Sequence, residues 1–597
     1  MILQALTEYY QRKTRLSDSD LAPPGFERKA IPFLVVLTKD GEFVSFEDTR
    51  EGEGKKRNAK SYLVPHGIKR SSGVAANLLW DNPGYVFGSS YFDSNSNNSS
   101  ENLAIGQPAT FTSATYERCK ICDSTCRDRK QHLAFVEAIR SNFVMSGDAG
   151  IRAVLFFLER DDYAKVFAHP LWAEILESGA NLTFRLEGDA SPVCEREEVV
   201  NALTAVDAEA SGESALCLVS GEADIIERLH PSIKGVRDAQ SSGASLVSFQ
   251  INSGYDSYGK EQGFNAPVGK RAVFAYTTAL NHLLAKGSQQ RIQVGDSSTV
   301  FWAEKPAHPA ETLFRAWDNP DADTGTVKAL LAAPNSGVGF FEDEGTRFYV
   351  LGLAPNAARI AVRFWHVKTV GELAVNIRRH FDDLRIDHAP HEPETLSLSA
   401  ILKATSRKKS DGSYDTPPNL GGDMMRSVID NLPYPQTLLS GAIRRIRAEQ
   451  EVTYPRASII KACINRSAEK EELKVSLDEN NTKTAYRLGR LFAVLERIQE
   501  RASPNLNATI RDRYYGAASS TPVTVFSTLL KLKNHHLAKL DNKGEAVNLE
   551  KLLGQIMDGI ADFPSHLCLQ DQGRFAIGYY HQRQAFFTKS ETTTKGE

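Results

Sequence analysis

Three groups of residues have the types and spacing to do chemistry. The first, Gly254-x4-Gly259-Lys260 in "SGYDSYGKEQG" (253–263), is nearly a phosphate-binding loop. Such a loop wraps phosphates in backbone N–H groups, then needs Ser or Thr to hold Mg²⁺. This chain has Glu261 at that point, a carboxylate that repels phosphate. The loop should also run straight into a helix, whereas Pro267 biases Ala266 toward extended backbone. The segment is not read as a nucleotide site. What it offers is a polar, aromatic loop ahead of Lys270 and Arg271. Lys260, Gln262 and Asn265 are types that hydrogen-bond base edges, and Tyr255, Tyr258 and Phe264 carry rings that stack or wedge. A turn-rich loop with no ligand is the competing reading.

The second group is Cys119-x2-Cys122-x3-Cys126, followed by His132. The spacing approaches a zinc knuckle, but its second half is out of register, so packing on a short helix competes and no metal is expected. The third is His535-His536, which sits among Lys531, Lys533 and Lys539 and reads as a solvated basic face. No nucleophile elbow, His-Glu-x-x-His or paired-carboxylate pattern appears. We expect no catalytic residue and no cofactor.

Net charge is −3, so the 597-residue chain does not attract polyanions as a whole, and any nucleic-acid contact must be local. Two basic stretches qualify. Residues 55–70 hold six Lys/Arg and no acid, and residues 481–540 hold ten Lys/Arg against three Asp/Glu. The bland alternative is a pair of solvated faces. The N-terminus has no signal-peptide pattern and no apolar run approaches a membrane span, so the seven cysteines are expected as thiols in a cytoplasm.

These residues must be positioned by more than one domain. "IPFLVVLTKDGEFVSFED" (31–48) predicts a hairpin around Asp40-Gly41. Further strands are read at 150–159, 182–188, 214–222, 244–252 and 346–355, with helices at 131–145, 270–286 and 324–333. The polar stretch 89–102 reads as a surface loop. Residues 366–422 read as a helix and linker, and 423–597 as a helical bundle with helices near 484–500, 522–540, 545–560 and 571–587. The expected class is α+β: a mixed region over 1–365, then an all-α bundle. On the helix near 484–500, Arg487, Arg490, Arg497 and Arg501 fall within an arc of about 80° at ~100° per residue. The apolar stripe centres about 90° from Arg487 by the same spacing, so charge and packing are expected on different faces.

Five stretches resemble one family. "MILQALTEYYQR" (1–12), "KRSSGVAANLLWDNPGYVFG" (69–88), "SFQINSGYDSYGKEQGFNAPVG" (248–269), "FYVLGLAPNAARIAVRFW" (348–365) and "LGRLFAVLERIQ" (488–499) are similar, in order, to the large subunit of the type I-C CRISPR surveillance complex (Cascade). The loop at 89–102 and the cysteine cluster are departures. The resemblance implies a non-catalytic subunit that checks a short motif (the PAM) flanking the target, promotes duplex opening and holds the R-loop before a helicase–nuclease is recruited. Its implied partners are guide RNA, target double-stranded DNA and other Cascade subunits, backbone and small subunits included. No membrane is implied.

Carried over by block, the resemblance puts motif reading on Ser71, Ser72, Asn77, Lys260, Gln262 and Asn265, with 69–77 and 255–265 forming one surface. The basic stretch 55–70 and the basic helix start at 270 put phosphate contacts on Lys55, Lys56, Arg57, Lys60, Lys69, Arg70, Lys270 and Arg271. The arc on the helix near 484–500 puts contacts to the displaced strand on Arg487, Arg490, Arg497 and Arg501. The resemblance also implies that 475–597 resembles a small subunit translated from within the gene; the helix-capping lead Ser476, Asp478 and Asn480, and the Pro-containing segments that Met424 or Met425 would add, favour a start at Val475 over those methionines. A guide-RNA-binding structural subunit and a metal-dependent hydrolase are the alternatives.

Overall fold

The structure is a computed structural model that describes the chain except for residues 17–20, 53–56, 69, 71–72, 89–126, 145–146, 209–212, 252–253, 255–258, 319–323, 333–340, 469–471, 505 and 588–597. The stretch 89–102, the three cysteines of the knuckle-like motif, and Lys55, Lys56, Lys69, Ser71 and Ser72 lie outside the described residues. The fold is mixed α+β, with strands in the N-terminal part and helices toward the C-terminus. It divides into two compact units, Met1–Pro231 with Phe249–Ala279, and Ser232–Ser248 with Leu280–Glu597.

In the first unit, the predicted hairpin pairs Phe33–Leu37 with Phe43–Asp48. Phe33–Leu37 also lies parallel to Leu182–Leu186, which pairs with Trp80–Asp81. Every residue of Phe33–Leu37 is buried, as a central strand covered on both faces must be. The cover includes "GIRAVLFFLE", which is a helix, Ala149–Arg160, and not the expected strand. Its buried residues Ile151, Val154, Phe157 and Leu158 follow the helical period, and Asp148 caps its start by accepting from Ile151 N at 2.9 Å. The rest of this unit holds the small hairpin Ser214–Leu216/Ala223–Ile225 and the start of helix Lys270–Leu283. The N-terminal helix Ile2–Thr14 sets Tyr10 edge-on to Phe274, with ring centroids 5.7 Å apart.

In the second unit, an antiparallel sheet runs in the order Arg291–Val294, Ser297–Ala303, Arg347–Asn356, Arg359–Thr369. Helix Val370–Leu384 follows at once, its start fixed by a Thr369–Glu372 capping box. Leu396, Leu398, Ile401, Leu402 and Leu420 are buried in the same hydrophobic core as the sheet and the C-terminal helices. Parts of the stretch expected to be a linker, around 396–402 and at Leu420, are therefore core, and the change from strand to helix near 366 does not separate the units. The expected strand at 244–252 contributes only isolated bridges, from Ala244 to Ile233 and from Ser245 to Arg359. The four expected C-terminal helices form as Thr484–Ala502, Phe526–Ala538, Lys543–Asp558 and Leu569–Ala585.

Candidate nucleic-acid interface

Of the described cations in the first basic segment, Arg57 and Arg70 are paired with carboxylates of the protein. Asp81 is buried and organises the loop before it, accepting from Asn77 N and Asn82 N at 2.9 Å each and from the Arg70 guanidinium. Arg70 also donates to Ala75 O at 2.6 Å and lies 3.9 Å over the Tyr85 ring. Asn77 is itself buried, with its side-chain oxygen accepting from Ile68 N at 2.9 Å. Arg70 and Asn77 thus brace this loop, although their residue types suit ligand contacts. Arg57 pairs with Asp48 at 3.0 Å, and Asp48 is held down to about 2 chiefly by its hydrogen bond from Arg50. Lys60 is exposed, its ammonium 5.6 Å over the Tyr62 ring.

The loop after Gly259 is built differently. A 3₁₀ turn, Gln262–Asn265, follows, not the helix that a phosphate loop requires. The Asn265 amide donates to Lys260 O and Gln262 O at 3.0 Å each, closing the loop on itself. Gly263 N donates to Arg228 O at 3.1 Å, and a Cβ on Gly263 would fall 2.5 Å from Glu227 O. Arg228 donates to the Gln262 side chain, whose backbone sits at φ 42°. Pro267 O accepts from Leu218 N at 2.9 Å, and Val268 O from Glu227 N at 3.0 Å. The Ser214–Ile225 hairpin therefore holds the loop from behind. It also claims Arg271, which meets Asp224 at 3.3 Å and Glu222 at 3.5 Å.

Lys270 is half-buried at the start of its helix. Lys260 is exposed at the head of the braced turn, with its backbone oxygen fixed and, among the described residues, no hydrogen bond or ion pair on its ammonium. The bracing residues Arg228 and Asp224 escaped sequence reading because nothing local ties them to a loop some 40 positions on.

The two expected halves of one surface, 69–77 and 255–265, both belong to the first unit. Among the described residues, no hydrogen bond or ion pair joins them, and each is held by its own neighbours.

The arginine stripe needs correction. Helix Thr484–Ala502 is buried around most of its circumference, Arg490 included. Arg490 donates to Gln582 at 3.1 Å and to Glu479 O at 3.2 Å. Arg487 donates to Asn481 O at 2.7 Å and Gly559 O at 2.5 Å. Arg497 is half-buried and Arg501 exposed, and both are paired: Arg497 with Glu500 at 3.8 Å, Arg501 bidentate to Glu545 at 2.6 and 2.9 Å. The cause is a second packing face of small residues. A Cβ on Gly489 would fall 2.7 Å from Tyr579 N, and one on Gly578 would fall 2.8 Å from the Tyr486 carbonyl carbon. These glycines bring helix Leu569–Ala585 against the side that a hydropathy stripe leaves polar.

His132 is buried with Nδ1 3.3 Å from Tyr85 O and Nε2 3.3 Å from Tyr163 Oη, so both ring nitrogens are taken within the fold. Among the described residues, no group of three or more His, Cys, Asp or Glu is placed to hold a metal ion. His535 and His536 end helix Phe526–Ala538, and Lys533 beside them pairs with Glu550 at 3.4 Å. No helix among the described residues is long and apolar enough to cross a membrane.

The class is that of the CRISPR-associated proteins, and it rests on a family comparison. The sequence model of the CRISPR-associated protein family Cas_Csd1 matches residues 6–587, nearly the whole chain, and the chain belongs to that family. The resemblance to the type I-C Cascade large subunit is thereby borne out. No curated protein matches the sequence.

Proposed function

We propose that this chain is the Cascade subunit that reads the motif flanking a DNA target, and that Lys260 on its braced loop makes the first polar contact with base edges. The observation that carries this reading is the contrast between loop and side chain. The Asn265 amide, Gly263 N and the Pro267 and Val268 carbonyls are bonded within the protein, while among the described residues the exposed Lys260 ammonium has no partner. A preset turn carrying one free donor discriminates well, because little ordering remains to be done on binding. A lysine donates to the O6 and N7 acceptors of guanine in the major groove.

Lys60, with Lys55, Lys56, Lys69 and Lys270, supplies phosphate contacts that orient the duplex without reading it. Guide RNA reads the target by base pairing, and this subunit stabilises the opened strands. It performs no turnover itself; cutting belongs to a recruited helicase–nuclease. The deciding experiment is binding of the assembled complex to duplexes with and without the correct flank, with wild-type chain and with Lys260→Ala. The reading requires a flank preference in the wild type that the substitution erodes.

A further inference from the structure

The stretch 406–422 is Gly/Pro-rich and basic, and it lies outside the residues proposed to read the flank. It forms a two-stranded hairpin, Arg407–Lys408 against Tyr414–Asp415, whose residues 407–415 are all exposed. The hairpin is built rather than loose. Lys409 N donates to Ser413 O at 2.8 Å, Asp411 accepts from Ser413 N and Oγ at 2.9 and 2.6 Å, and Gly412 takes φ 84° at the tip. Ser406 Oγ donates to Thr416 Oγ1 at 3.0 Å and closes the base. An ordered arm with no core of its own is kept for what its side chains meet.

Those side chains include three cations (Arg407, Lys408 and Lys409), one ring (Tyr414) and two carboxylates, of which Asp411 is engaged by Ser413. Directly opposed residues of an antiparallel pair share a face, so Lys408 and Tyr414, whose ring is 37% exposed, project from the same side of the hairpin. Arg407 opposes Asp415, which Lys409 also approaches at 3.9 Å. The arm springs from helix Leu398–Thr405, and helix Gln436–Glu449 passes against that end: a Cβ on Gly441 would fall 3.2 Å from Thr405 O. One turn beyond Gly441, Arg444 and Arg447 are exposed three residues apart, hence on one face. The carboxylate of that helix, Glu449, is already held by Arg445 and Arg456.

We infer that this hairpin and the Arg444–Arg447 face form a binding surface for a single nucleic-acid strand, with Arg407, Lys408, Arg444 and Arg447 on phosphates and Tyr414 under a base. Interleaved cations and an exposed ring suit a strand whose bases are unpaired, because a duplex hides the π-faces on which tyrosine stacks. The surface lies in the second unit and does not depend on the assignment of Lys260.

The test uses the full chain with a labelled dT15 oligomer, an rU15 oligomer and a 15-base-pair duplex, each titrated between 50 and 200 mM salt. Arg407→Gln with Lys408→Gln should lower the single-strand salt slope by roughly 1.4, at about 0.7 for each phosphate no longer neutralised. Arg444→Gln with Arg447→Gln, on a helix formed independently of the hairpin, should do the same. Tyr414→Ala should weaken single-strand binding by roughly 5- to 100-fold at unchanged slope and leave the duplex nearly untouched. A larger loss on dT15 assigns the strand to DNA, and a larger loss on rU15 assigns it to RNA. The inference is overturned by unchanged affinity in all three variants, or by equal losses on duplex and single strands. Failure to assemble with other subunits at unchanged nucleic-acid affinity would overturn it as well, by making the hairpin a protein-docking element.

Discussion

Arg490 Nε donates to Gln582 Oε1 at 3.1 Å, with both side chains buried between helices Thr484–Ala502 and Leu569–Ala585. An arginine enclosed in this way is structural. Arg490→Ala leaves Gln582 and the Glu479 carbonyl short of a donor, and should cost ~2–4 kcal/mol. Arg501→Ala breaks an exposed pair with Glu545 and should cost under ~1 kcal/mol. Melting temperatures of the two variants check this. A mild effect at Arg490 would return it to the set of free cations.

Gly263 is where the candidate loop meets its support. Gly263→Ala would set a methyl group 2.5 Å from Glu227 O and 2.7 Å from Arg228 O, against backbone that cannot swing aside. The loop should shift and carry Lys260 with it. The expected outcome is a lost flank preference with net charge and salt slope unchanged, measured by competition between flanked and unflanked duplexes.

Acid should loosen both units. Burial lowers His230 and His581 to about 4 and His380 to about 3. The unfolded chain takes up these protons near pH 6.5 and the folded one refuses them, so stability is present above that pH and lost as pH falls toward 4. Each histidine accounts for at most ~3 kcal/mol of that loss. The melting temperature should drop between pH 7 and pH 5, and His581→Gln should narrow the drop. A pH-independent melt would mean that these rings titrate normally.

The Val475 start, if used, produces a fragment with an altered surface. Residues 475–597 lack Glu472, which holds Arg574, and lack Ile460 and Ile464, against which Gly573 packs. Losing the Glu472 pair alone should cost ~1–3 kcal/mol. The fragment should therefore melt below the same helices in the full chain, unless partners cover the exposed face. Mass spectrometry of complexes from the unaltered gene should show its first residue. A product starting at Met424 would place the boundary inside helix Leu420–Ile429, where Met424 and Met425 are buried.

Much of the fold was legible where one physical signal dominated. Asp40-Gly41 marked the hairpin, the period of 484–500 marked its helix, and Pro267 with Glu261 ruled out a nucleotide loop. Reading failed where two signals compete. The apolar run in "AVLFFL" fits a buried strand as well as a helix, and only the Asp148 cap tips it. The arginines do share one arc of their helix, but Gly489 and Gly578 create a packing face that hydropathy does not register. Asn77 and Arg70 have the residue types of ligand contacts, and it is Asp81 that turns them inward.

The most direct test of the central claim is equilibrium binding of the assembled complex to two duplexes that share a target and differ only in the flanking motif. The account predicts tighter binding to the correct flank, and a preference reduced by ~1–3 kcal/mol in Lys260→Ala at unchanged affinity for the unflanked duplex. Equal binding of both duplexes by the wild-type complex would contradict the proposed function. A wild-type preference left intact by Lys260→Ala would keep the function and move the reading residue elsewhere.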